Sequence, residues 1–179
     1  MLKKCLFLDR DGVINVDKKY VYKIEDFEFI EGIFAFAKAA ILKNYLICVV
    51  TNQAGIGRGY YTEEDFELLT SWMCQKFCAE DIPITKVYYS PYHPVHGVGH
   101  YKKDHVSRKP NPGMILQAAN EFGIDLSCSL LIGDKASDLK AGHNAGIKTN
   151  IYFGSEDSEI QVDFDFQRIS RLEDALTYI

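Results

Sequence analysis

Short apolar runs alternate along the chain with stretches that carry apolar residues three and four positions apart. The apolar runs predict five strands, at 4–8, 46–51, 86–90, 129–132 and 148–152. The helical spacing predicts five helices, at 32–43, 62–78, 112–122, 136–145 and 171–178. Strands that alternate with helices are typical of a parallel sheet covered by helices. The pattern therefore predicts an α/β fold, with a Rossmann-like parallel sheet and helices on both faces.

Polar residues and glycines mark the ends of these helices. Thr62 and Asp65 have the spacing of a capping box, in which each side chain accepts a hydrogen bond from the other residue's backbone N–H. Asn111, followed by a proline, predicts an N-cap. Gly123 and Gly146 predict helix stops, because glycine adopts left-handed backbone angles readily. These signals set the expected helix boundaries.

The chain has 179 residues, the length of one domain, which we expect to span 1–179. Its 47% hydrophobic and 25% charged residues exclude a disordered or collagen-like chain. The five cysteines are an odd number, and several lie in or beside apolar runs, so buried, reduced thiols are expected. The composition indicates a chain that can form its own apolar core.

Charge and hydropathy bear on partners and location. Twenty basic against 25 acidic residues give a formal net charge of −5, which disfavours nucleic acid or an anionic membrane as a partner. The N-terminus has too few apolar residues for a signal-peptide core, and no apolar run approaches the roughly 20 residues that span a bilayer. We expect a cytoplasmic protein with no nucleic-acid or membrane partner. The sequence has no dedicated dimerisation segment, which favours a monomer.

Polar side chains cluster at four places where predicted strands end or the next helix begins. They are Asp9 and Asp11, then Thr51, Asn52 and Gln53, then Arg108 and Lys109, and finally Asp134, Lys135 and Asp138. Each motif alone is usually a turn, a corner or a helix cap. Because ligands bind outside the carboxyl ends of parallel strands, four such motifs in succession favour a shared functional site.

The acidic residues point to a metal. Asp9 and Asp11 lie two positions apart at a strand end, and like charges held so close need a cation beside them. Mg²⁺ prefers oxygen ligands of this kind, and Asp134 is placed to supply a third carboxylate. Asp138 has two interpretations: an acid that stabilises the first turn of a helix, or a residue that orients Lys135.

The remaining polar residues point to a phosphate. Thr51, Asn52 and Lys109 offer a hydroxyl, an amide and an ammonium to an anion beside the metal. Gly12 and Gly133 allow the backbone to approach closely and are expected to offer N–H donors to phosphate oxygens. Together these residues predict a magnesium-dependent site for a phosphorylated ligand.

Four motifs taken together resemble the motif set of the haloacid dehalogenase superfamily: LDRDGVIN (8–15), TNQ (51–53), RKP (108–110) and GDKASD (133–138). Further segments at 15–17, 20–21, 27–32, 55–59 and 110–113 are similar to one of its subfamilies. This subfamily contains the D-glycero-D-manno-heptose 1,7-bisphosphate phosphatases and their relatives, the histidinol-phosphate phosphatases. The resemblance covers nearly the whole chain. It implies a magnesium-dependent phosphatase that removes the C7 phosphate of the heptose bisphosphate, in the biosynthesis of nucleotide-activated heptose and lipopolysaccharide.

The same resemblance implies a role for each motif residue. Asp9 is the implied nucleophile, which forms an aspartyl-phosphate, and Asp11 is the implied general acid and base. The implied Mg²⁺ ligands are Asp9, Asp134 and Asp11, the last through its backbone carbonyl. Lys135 is implied to orient the carboxylates. The residues implied to bind phosphate or substrate are Thr51, Asn52, Gln53, Arg58, Arg108, Lys109 and Lys135.

Two loops, 16–31 and 91–107, are too short to fold as separate domains, so no separate cap domain is expected. The second loop is polar and is expected to reach a second phosphate. Many relatives carry a zinc site in it, at positions that hold Ser90, Tyr92, His105 and Ser107 here. Three of these four cannot serve as ligands, so zinc is not expected. A substitute site from His93, His96, His100 and His105 is the alternative to a solvated, histidine-rich loop.

Three other functions stay open. Histidinol phosphate is the substrate of one group of relatives. A phosphorylatable receiver domain also has acidic strand ends and a lysine, but a long-lived aspartyl-phosphate has no use for a resident acid and base such as Asp11. A nucleic-acid end-processing phosphatase of the same superfamily is disfavoured by the acidic net charge.

Overall fold

A six-stranded parallel sheet forms the centre of the protein. The structure is a computed structural model that describes residues 3–179. The strands are β1 (Lys4–Leu8), β2 (Tyr45–Asn52), β3 (Lys86–Ser90), β4 (Leu130–Gly133), β5 (Thr149–Phe153) and β6 (Gln167–Ile169), in the order β3-β2-β1-β4-β5-β6. The five predicted strands and the predicted fold class are confirmed. Strand β6 was not predicted, because its three residues are too few to give a periodic signal.

The strand order reverses at β1, which places three acidic or polar strand ends side by side. Leu8 at the end of β1 pairs with Val49 of β2 on one side and with Ile132 of β4 on the other. The next residue, Asp9, donates its backbone N–H to the Ile132 carbonyl at 3.0 Å. In open parallel sheets, the crevice at such a reversal is where ligands bind.

Residues 3–179 contain five α-helices: α1 (Ile33–Leu42), α2 (Ala54–Gly57), α3 (Glu63–Ala79), α4 (Gly113–Phe122) and α5 (Ala136–Ala145). Apolar residues of α1 and α3, such as Phe36 and Phe77, pack against one face of the sheet. Apolar residues of α4 and α5, such as Ile115 and Ala141, pack against the other face. The prediction of helices on both faces is confirmed, and none of the helices in the described part of the chain is long and apolar enough to cross a membrane.

Most of the predicted helix ends are confirmed. Thr62 and Asp65 form the capping box, and both glycines that follow α4 and α5 have left-handed backbone angles. The N-cap predicted at Asn111 is wrong: α4 begins at Gly113, and the Asn111 side chain instead donates to the His105 carbonyl at 3.0 Å. The last predicted helix is a 3-10 helix, Leu172–Tyr178, because apolar spacing does not separate the two helix types.

Two loops lie beside the carboxyl ends of the strands. The first, 16–31, contains a 3-10 turn at Ile24–Asp26, and the second, 91–107, contains one at Gly99–Tyr101. Neither loop forms a layer of its own. No separate cap domain covers the sheet in the part of the chain that the structure describes, as predicted.

Candidate active site

A cavity of about 420 Å³ opens at the carboxyl ends of the central strands. Its size falls in the range of roughly 300–1,000 Å³ that is usual for small-molecule sites. Of the ten residues to which the resemblance gives a role, nine line it: Asp9, Asp11, Thr51, Asn52, Gln53, Arg58, Arg108, Lys109 and Lys135. The tenth, Asp134, presents a carboxylate oxygen close to that of Asp9. The fold therefore brings all four motifs to one place.

Asp9 is a buried carboxylate, and two protein groups hold one of its two oxygens. Its Oδ1 accepts a hydrogen bond from the Arg10 backbone N–H at 2.7 Å and lies 2.9 Å from the Lys109 ammonium. Burial raises the pKa of Asp9 to about 7; Lys109 opposes this shift, and the nearby Asp138 and Asp134 add to it. Oδ1 makes both of these contacts, and no hydrogen bond reaches Oδ2 from the residues that the structure describes.

Lys109 is buried and surrounded by oxygen atoms. Its Nζ lies 2.9 Å from Asp9 Oδ1 and 2.7 Å from Asp138 Oδ1, and donates to the Val50 carbonyl at 2.7 Å. An ammonium group has three N–H donors, and three protein oxygens lie within 2.9 Å of this one. Lys109 therefore neutralises two buried carboxylates, and a phosphoryl oxygen would compete with these oxygens for its N–H donors.

Asp138 combines the first sequence interpretation with an unexpected contact. Its Oδ2 accepts from the Lys135 backbone N–H at 2.9 Å, as an acid in the first turn of α5 would. Its Oδ1 lies 2.7 Å from the Lys109 ammonium, whereas the Lys135 ammonium pairs with Asp17 and Asp134. Gly133 makes this packing possible, because a Cβ there would lie 2.2 Å from Asp138 Cβ. Asp138 thus orients Lys109 rather than the Lys135 side chain.

Asp11 is fixed by donors from three side chains. Arg10 Nη2 donates to both carboxylate oxygens at 2.9 Å, Asn15 Nδ2 donates at 3.1 Å, and Gln53 Nε2 donates at 3.0 Å. Arg10 is itself almost fully buried, and its Nη2 also donates to the Val21 carbonyl at 2.6 Å. The carboxylate keeps 18% of its side-chain surface exposed toward the cavity, so it is both oriented and accessible.

A hydrogen-bond chain supports Asp11 from behind. Tyr61 donates its hydroxyl to Gln53 Oε1 at 2.6 Å, and Gln53 donates to Thr51 Oγ1 at 2.8 Å as well as to Asp11. Gln53 and Thr51 are buried, so the amide cannot exchange these partners for water. Gln53 therefore acts on the position of Asp11, in addition to lining the cavity.

The carboxylates suit a hard divalent cation. Oxygen atoms of Asp9, Asp134 and Asp138 lie within 4.8 Å of one another, and within residues 3–179 the buried Asp134 Oδ1 has no hydrogen-bond partner. Burial raises the pKa of Asp134 to about 6, because the ionised form lacks solvation there. Asp138 is already engaged by Lys109 and a backbone N–H, which leaves Asp9 and Asp134 as side-chain ligands. The donor set fits Mg²⁺.

Gly12 lets the Asp134 carboxylate reach this position. Its φ is +95°, and a Cβ at this residue would lie 2.2 Å from Asp134 Oδ2. The expectation of close backbone approach is met, but the approaching group is a carboxylate. The Gly12 N–H is used by the Asn15 carbonyl at 2.7 Å, so the expected donation to a phosphate from this residue is wrong.

Asn52 serves the backbone that carries Lys109. Its Nδ2 donates to the Lys109 carbonyl at 3.0 Å, and its Oδ1 accepts from the Lys109 N–H at 3.0 Å. Both ends of the carboxamide are therefore in use. We expected this amide to bind a phosphate, but it fixes the backbone of Lys109 against the end of β2.

Lys135 bridges two acidic residues at the cavity wall. Its Nζ lies 3.1 Å from Asp17 Oδ2 and 3.5 Å from Asp134 Oδ2. Burial disfavours the charged form of Lys135, but the nearby Asp134 and Asp9 charges outweigh this effect and raise the pKa of Lys135. Asp17 adds to the same shift. The position fits the orienting role that the resemblance implies for this lysine.

Arg58 and Arg108 supply positive charge to the cavity without forming an ion pair in the described part of the chain. Arg108 Nη1 donates to the Tyr92 carbonyl at 2.9 Å, and Arg58 lies 5.8 Å from the centre of the Tyr20 ring. Burial and the nearby Arg58 charge lower the pKa of Arg108, and the Asp104 carboxylate opposes this shift. Two close, unpaired guanidinium groups in a cavity wall favour an anionic ligand.

The four positions that correspond to the zinc ligands of relatives lie together. Ser107 Oγ donates to Ser90 Oγ at 3.0 Å and lies 2.7 Å from His105 Nδ1, and the Tyr92 and His105 rings are 4.1 Å apart. Hydrogen bonds and ring contacts thus join these positions. No three His, Cys, Asp or Glu ligand atoms of this loop cluster within the described residues. The absence of zinc stays a prediction.

The sequence analysis did not single out several residues that shape the site. Arg10 was overlooked between two aspartates, although a charged residue directly after a buried strand was a usable signal. Asn15, Tyr61 and Asp17 act through contacts made across loops, which a single sequence does not disclose. His93 was noted only as part of a histidine-rich loop, but it lines the cavity.

Comparison with known proteins agrees with this geometry. Residues 106–158 match the family model described as HAD-hyrolase-like. A D-glycero-alpha-D-manno-heptose-1,7-bisphosphate 7-phosphatase from Burkholderia mallei is 54% identical over 158 residues, 88% of this chain and 84% of that protein. A D-glycero-beta-D-manno-heptose-1,7-bisphosphate 7-phosphatase from Vibrio cholerae is 47% identical over 84% of this chain and 81% of that protein.

A solved structure has the same fold. The D,D-heptose 1.7-bisphosphate phosphatase from B. bronchiseptica, complexed with magnesium and phosphate, has a TM-score of 0.82. It is 21% identical in sequence, and the match covers 97% of this chain and 96% of that chain. At this identity the likeness concerns the fold alone.

The parallel sheet, the acidic strand ends and these similarities define a phosphatase of the haloacid dehalogenase superfamily, a hydrolase of phosphoric monoesters. The resemblance noted in the sequence is confirmed. Because the identity to both relatives extends over most of either chain, this protein belongs to the family of D-glycero-D-manno-heptose-1,7-bisphosphate 7-phosphatases.

Proposed function

We propose that this protein is a magnesium-dependent phosphatase that removes the C7 phosphate of D-glycero-D-manno-heptose 1,7-bisphosphate through an aspartyl-phosphate on Asp9. The observation that carries the proposal is the buried Asp9 carboxylate, with one oxygen engaged by Lys109 and Arg10 and the other left toward the cavity. The names of the relatives supply the substrate.

Asp9, Asp134 and the backbone carbonyl of Asp11 are the proposed ligands of Mg²⁺. The unpartnered Asp134 Oδ1 and the crowding of carboxylates support this set. When bound, Mg²⁺ neutralises the carboxylates and the phosphoryl oxygens, which lets an anionic substrate approach an anionic nucleophile. The magnesium in the B. bronchiseptica structure is consistent with this choice of metal.

In the first step, Asp9 Oδ2 attacks phosphorus, and the bond between phosphorus and the C7 oxygen breaks. Asp11, oriented by Arg10 and Gln53, gives its proton to the departing alkoxide. The products of this step are the heptose 1-phosphate and an acyl phosphate on Asp9. A carboxylate nucleophile thus divides one difficult displacement into two easier ones.

In the second step, Asp11 accepts a proton from a water molecule as the water oxygen attacks phosphorus. The bond between phosphorus and Asp9 Oδ2 breaks, and inorganic phosphate leaves. Lys109 stays beside Asp9 Oδ1 throughout and stabilises the carboxylate that is regenerated. Asp138 holds that ammonium in place, which makes it a positioning residue.

The substrate is held at two ends. Thr51 and Lys109 line the cavity and are proposed to bind the transferring phosphoryl group, Lys109 with the donor that it gives to the Val50 carbonyl in this structure. Gln53 also lines the cavity and is proposed to support the site by holding Thr51 and Asp11. Arg58 and Arg108 are proposed to bind the C1 phosphate, which their unpaired charges support.

Replacing Arg108 by alanine should therefore raise KM for the bisphosphate far more than for p-nitrophenyl phosphate. Equal losses on both substrates would remove Arg108 from this role.

The setting follows from the chemistry of the substrate. We propose that residues 1–179 act as one domain and as a monomer, on a phosphorylated sugar, without zinc, nucleic acid or membrane as a partner. A sugar bisphosphate is a cytoplasmic metabolite, which supports action in the cytoplasm. The 1-phosphate that remains is the group through which a sugar is activated with a nucleotide, which supports a role in supplying heptose for lipopolysaccharide.

Phosphate release measured with both anomers of the heptose bisphosphate and with histidinol phosphate tests the proposal. We expect turnover of at least one heptose anomer with Mg²⁺, and none by the Asp9→Asn variant. A kcat/KM for histidinol phosphate above that for both heptose anomers would contradict the substrate assignment.

A further inference from the structure

His93 lies in the cavity wall beside the two unpaired arginines. It is half-buried, and it lines the cavity together with Arg58 and Arg108. Burial lowers the pKa of His93, and the positive charges of Arg108, His96 and Arg58 lower it further. None of these contributing groups is acidic, so the surroundings favour the neutral form of the His93 ring.

The loop backbone fixes the tautomer of this neutral ring. His93 Nδ1 accepts hydrogen bonds from the Val95 N–H at 3.2 Å and from the His96 N–H at 3.0 Å. A ring nitrogen that accepts cannot carry a proton, so the proton of the neutral ring is on Nε2. Nε2 has no hydrogen-bond partner among residues 3–179. A preoriented N–H donor thus remains available on the part of the ring away from the loop.

Tyr101 holds the loop that carries this donor. Its carbonyl accepts from the His93 N–H at 3.1 Å, and its hydroxyl donates to Glu63 on α3 at 2.7 Å. The Val98 N–H also donates to the Gly57 carbonyl of α2 at 2.8 Å. The loop is therefore attached to two helices, and the His93 ring is presented from a fixed backbone.

We propose that His93 is a specificity-determining residue that donates a hydrogen bond from Nε2 to the C1 phosphate of the sugar bisphosphate, between Arg58 and Arg108. A neutral donor suits this place, because a third positive charge would be repelled by the two arginines. This inference rests on the proposed function for the identity of the substrate. It adds a residue that recognises the remote phosphate and takes no part in phosphoryl transfer.

Two substitutions separate the donor from the turn. In His93→Asn, the Asn Oδ1 takes the place of Nδ1 and accepts from the backbone two and three residues on, as Asn does in turns. The shorter side chain lacks the Nε2 donor. His93→Gln has a donor of similar reach but loses the acceptor for the turn. His96→Asn is the matched control, because His96 is exposed and its ring packs 4.7 Å from that of His93 without lining the cavity.

The test compares heptose 1,7-bisphosphate with p-nitrophenyl phosphate, which has no second phosphate for His93 to bind. We expect His93→Asn to raise KM for heptose 1,7-bisphosphate by about tenfold or more, as for a lost hydrogen bond to a charged group. Its kcat, its melting temperature and its KM for p-nitrophenyl phosphate should match those of the wild type and of His96→Asn. A wild-type KM for the bisphosphate in His93→Asn, or equal losses on both substrates, would overturn the proposal.

A second readout does not depend on turnover of the bisphosphate. Heptose 1,7-bisphosphate is added as a competitive inhibitor of p-nitrophenyl phosphate hydrolysis, and Ki is measured for the same variants. His93→Asn should raise Ki by about tenfold or more, whereas inhibition by inorganic phosphate should be unchanged. If the wild type binds the bisphosphate but does not hydrolyse it, the proposed function fails while Ki still decides the role of His93. An unchanged Ki would refute that role.

Discussion

Replacing Asp9 by asparagine should stabilise the metal-free protein at alkaline pH while it abolishes turnover. Burial raises the pKa of Asp9 from 3.8 to about 7, so the folded protein resists the ionisation that the unfolded chain undergoes freely. A neutral asparagine removes this conflict. Its Oδ1 can keep both contacts of Asp9 Oδ1, with the Arg10 N–H and the Lys109 ammonium.

The sign and size follow from the two pKa values. A carboxyl group whose pKa is higher in the folded state destabilises the fold as pH rises from the unfolded to the folded value. A shift of about three pKa units at about 1.4 kcal/mol each costs about 4 kcal/mol once pH is above the folded pKa. At about pH 5.5 the cost is about 2 kcal/mol, since the folded group is still protonated there. The advantage of the Asp9→Asn variant should therefore grow by about 2 kcal/mol between about pH 5.5 and pH 8.

Urea denaturation in the presence of EDTA, at both pH values, measures this difference. Asp17→Asn is the control: although burial opposes the shift, hydrogen bonds from the Lys19 backbone and from Lys135 lower the pKa of Asp17, so this carboxyl is ionised in both the folded and the unfolded chain at both pH values. The difference in stability between that variant and the wild type should therefore be the same at both pH values. An Asp9→Asn variant whose advantage is constant or falls with rising pH would refute the account of Asp9 as a strained, buried carboxylate.

Three further predictions concern the same site. Asp11→Asn should lower the melting temperature, because it takes the ion-pair partner from the buried Arg10, and the folded variant should lose about 10²–10⁴-fold in kcat through lost proton transfer; an unchanged rate would remove Asp11 from the mechanism. Gly12→Ala should destabilise the fold by about 1–3 kcal/mol and weaken Mg²⁺ binding in calorimetry, because its Cβ would meet the Asp134 carboxylate. Elemental analysis should find well under one zinc per chain, and a zinc-selective chelator should change neither activity nor melting temperature. Stoichiometric zinc that is lost on mutation of His105 would show that the loop binds the metal after all.

The sequence was most informative where local chemistry decides the structure. Five strands were predicted because each contains a short apolar run, and most residues of these runs are buried in this sheet. The positions of these runs placed Asp9 and Asp134 at neighbouring strand ends. The capping box at Thr62 was equally local. Strand β6 and the 3-10 helix after it were missed or mistaken, because short elements depend on packing against the rest of the molecule.

The inner connections of the site could not be predicted from spacing. Lys109 and Asp138 are far apart in sequence, so their contact leaves no local signal. The residues around each of them are equally consistent with a side chain exposed to solvent. Asn52 was expected to face a ligand, yet the chain folds so that its amide pairs with the Lys109 backbone. Which polar group meets ligand and which meets protein depends on tertiary contacts that a single sequence leaves open.

The most direct test of the central claim is a ³¹P NMR experiment that follows heptose 1,7-bisphosphate with the wild-type protein and Mg²⁺. The account predicts that the C7 phosphate signal is replaced by that of inorganic phosphate while the C1 phosphate signal persists, and that the Asp9→Asn variant changes neither. Loss of the C1 phosphate, or turnover by the Asp9→Asn variant, would contradict it.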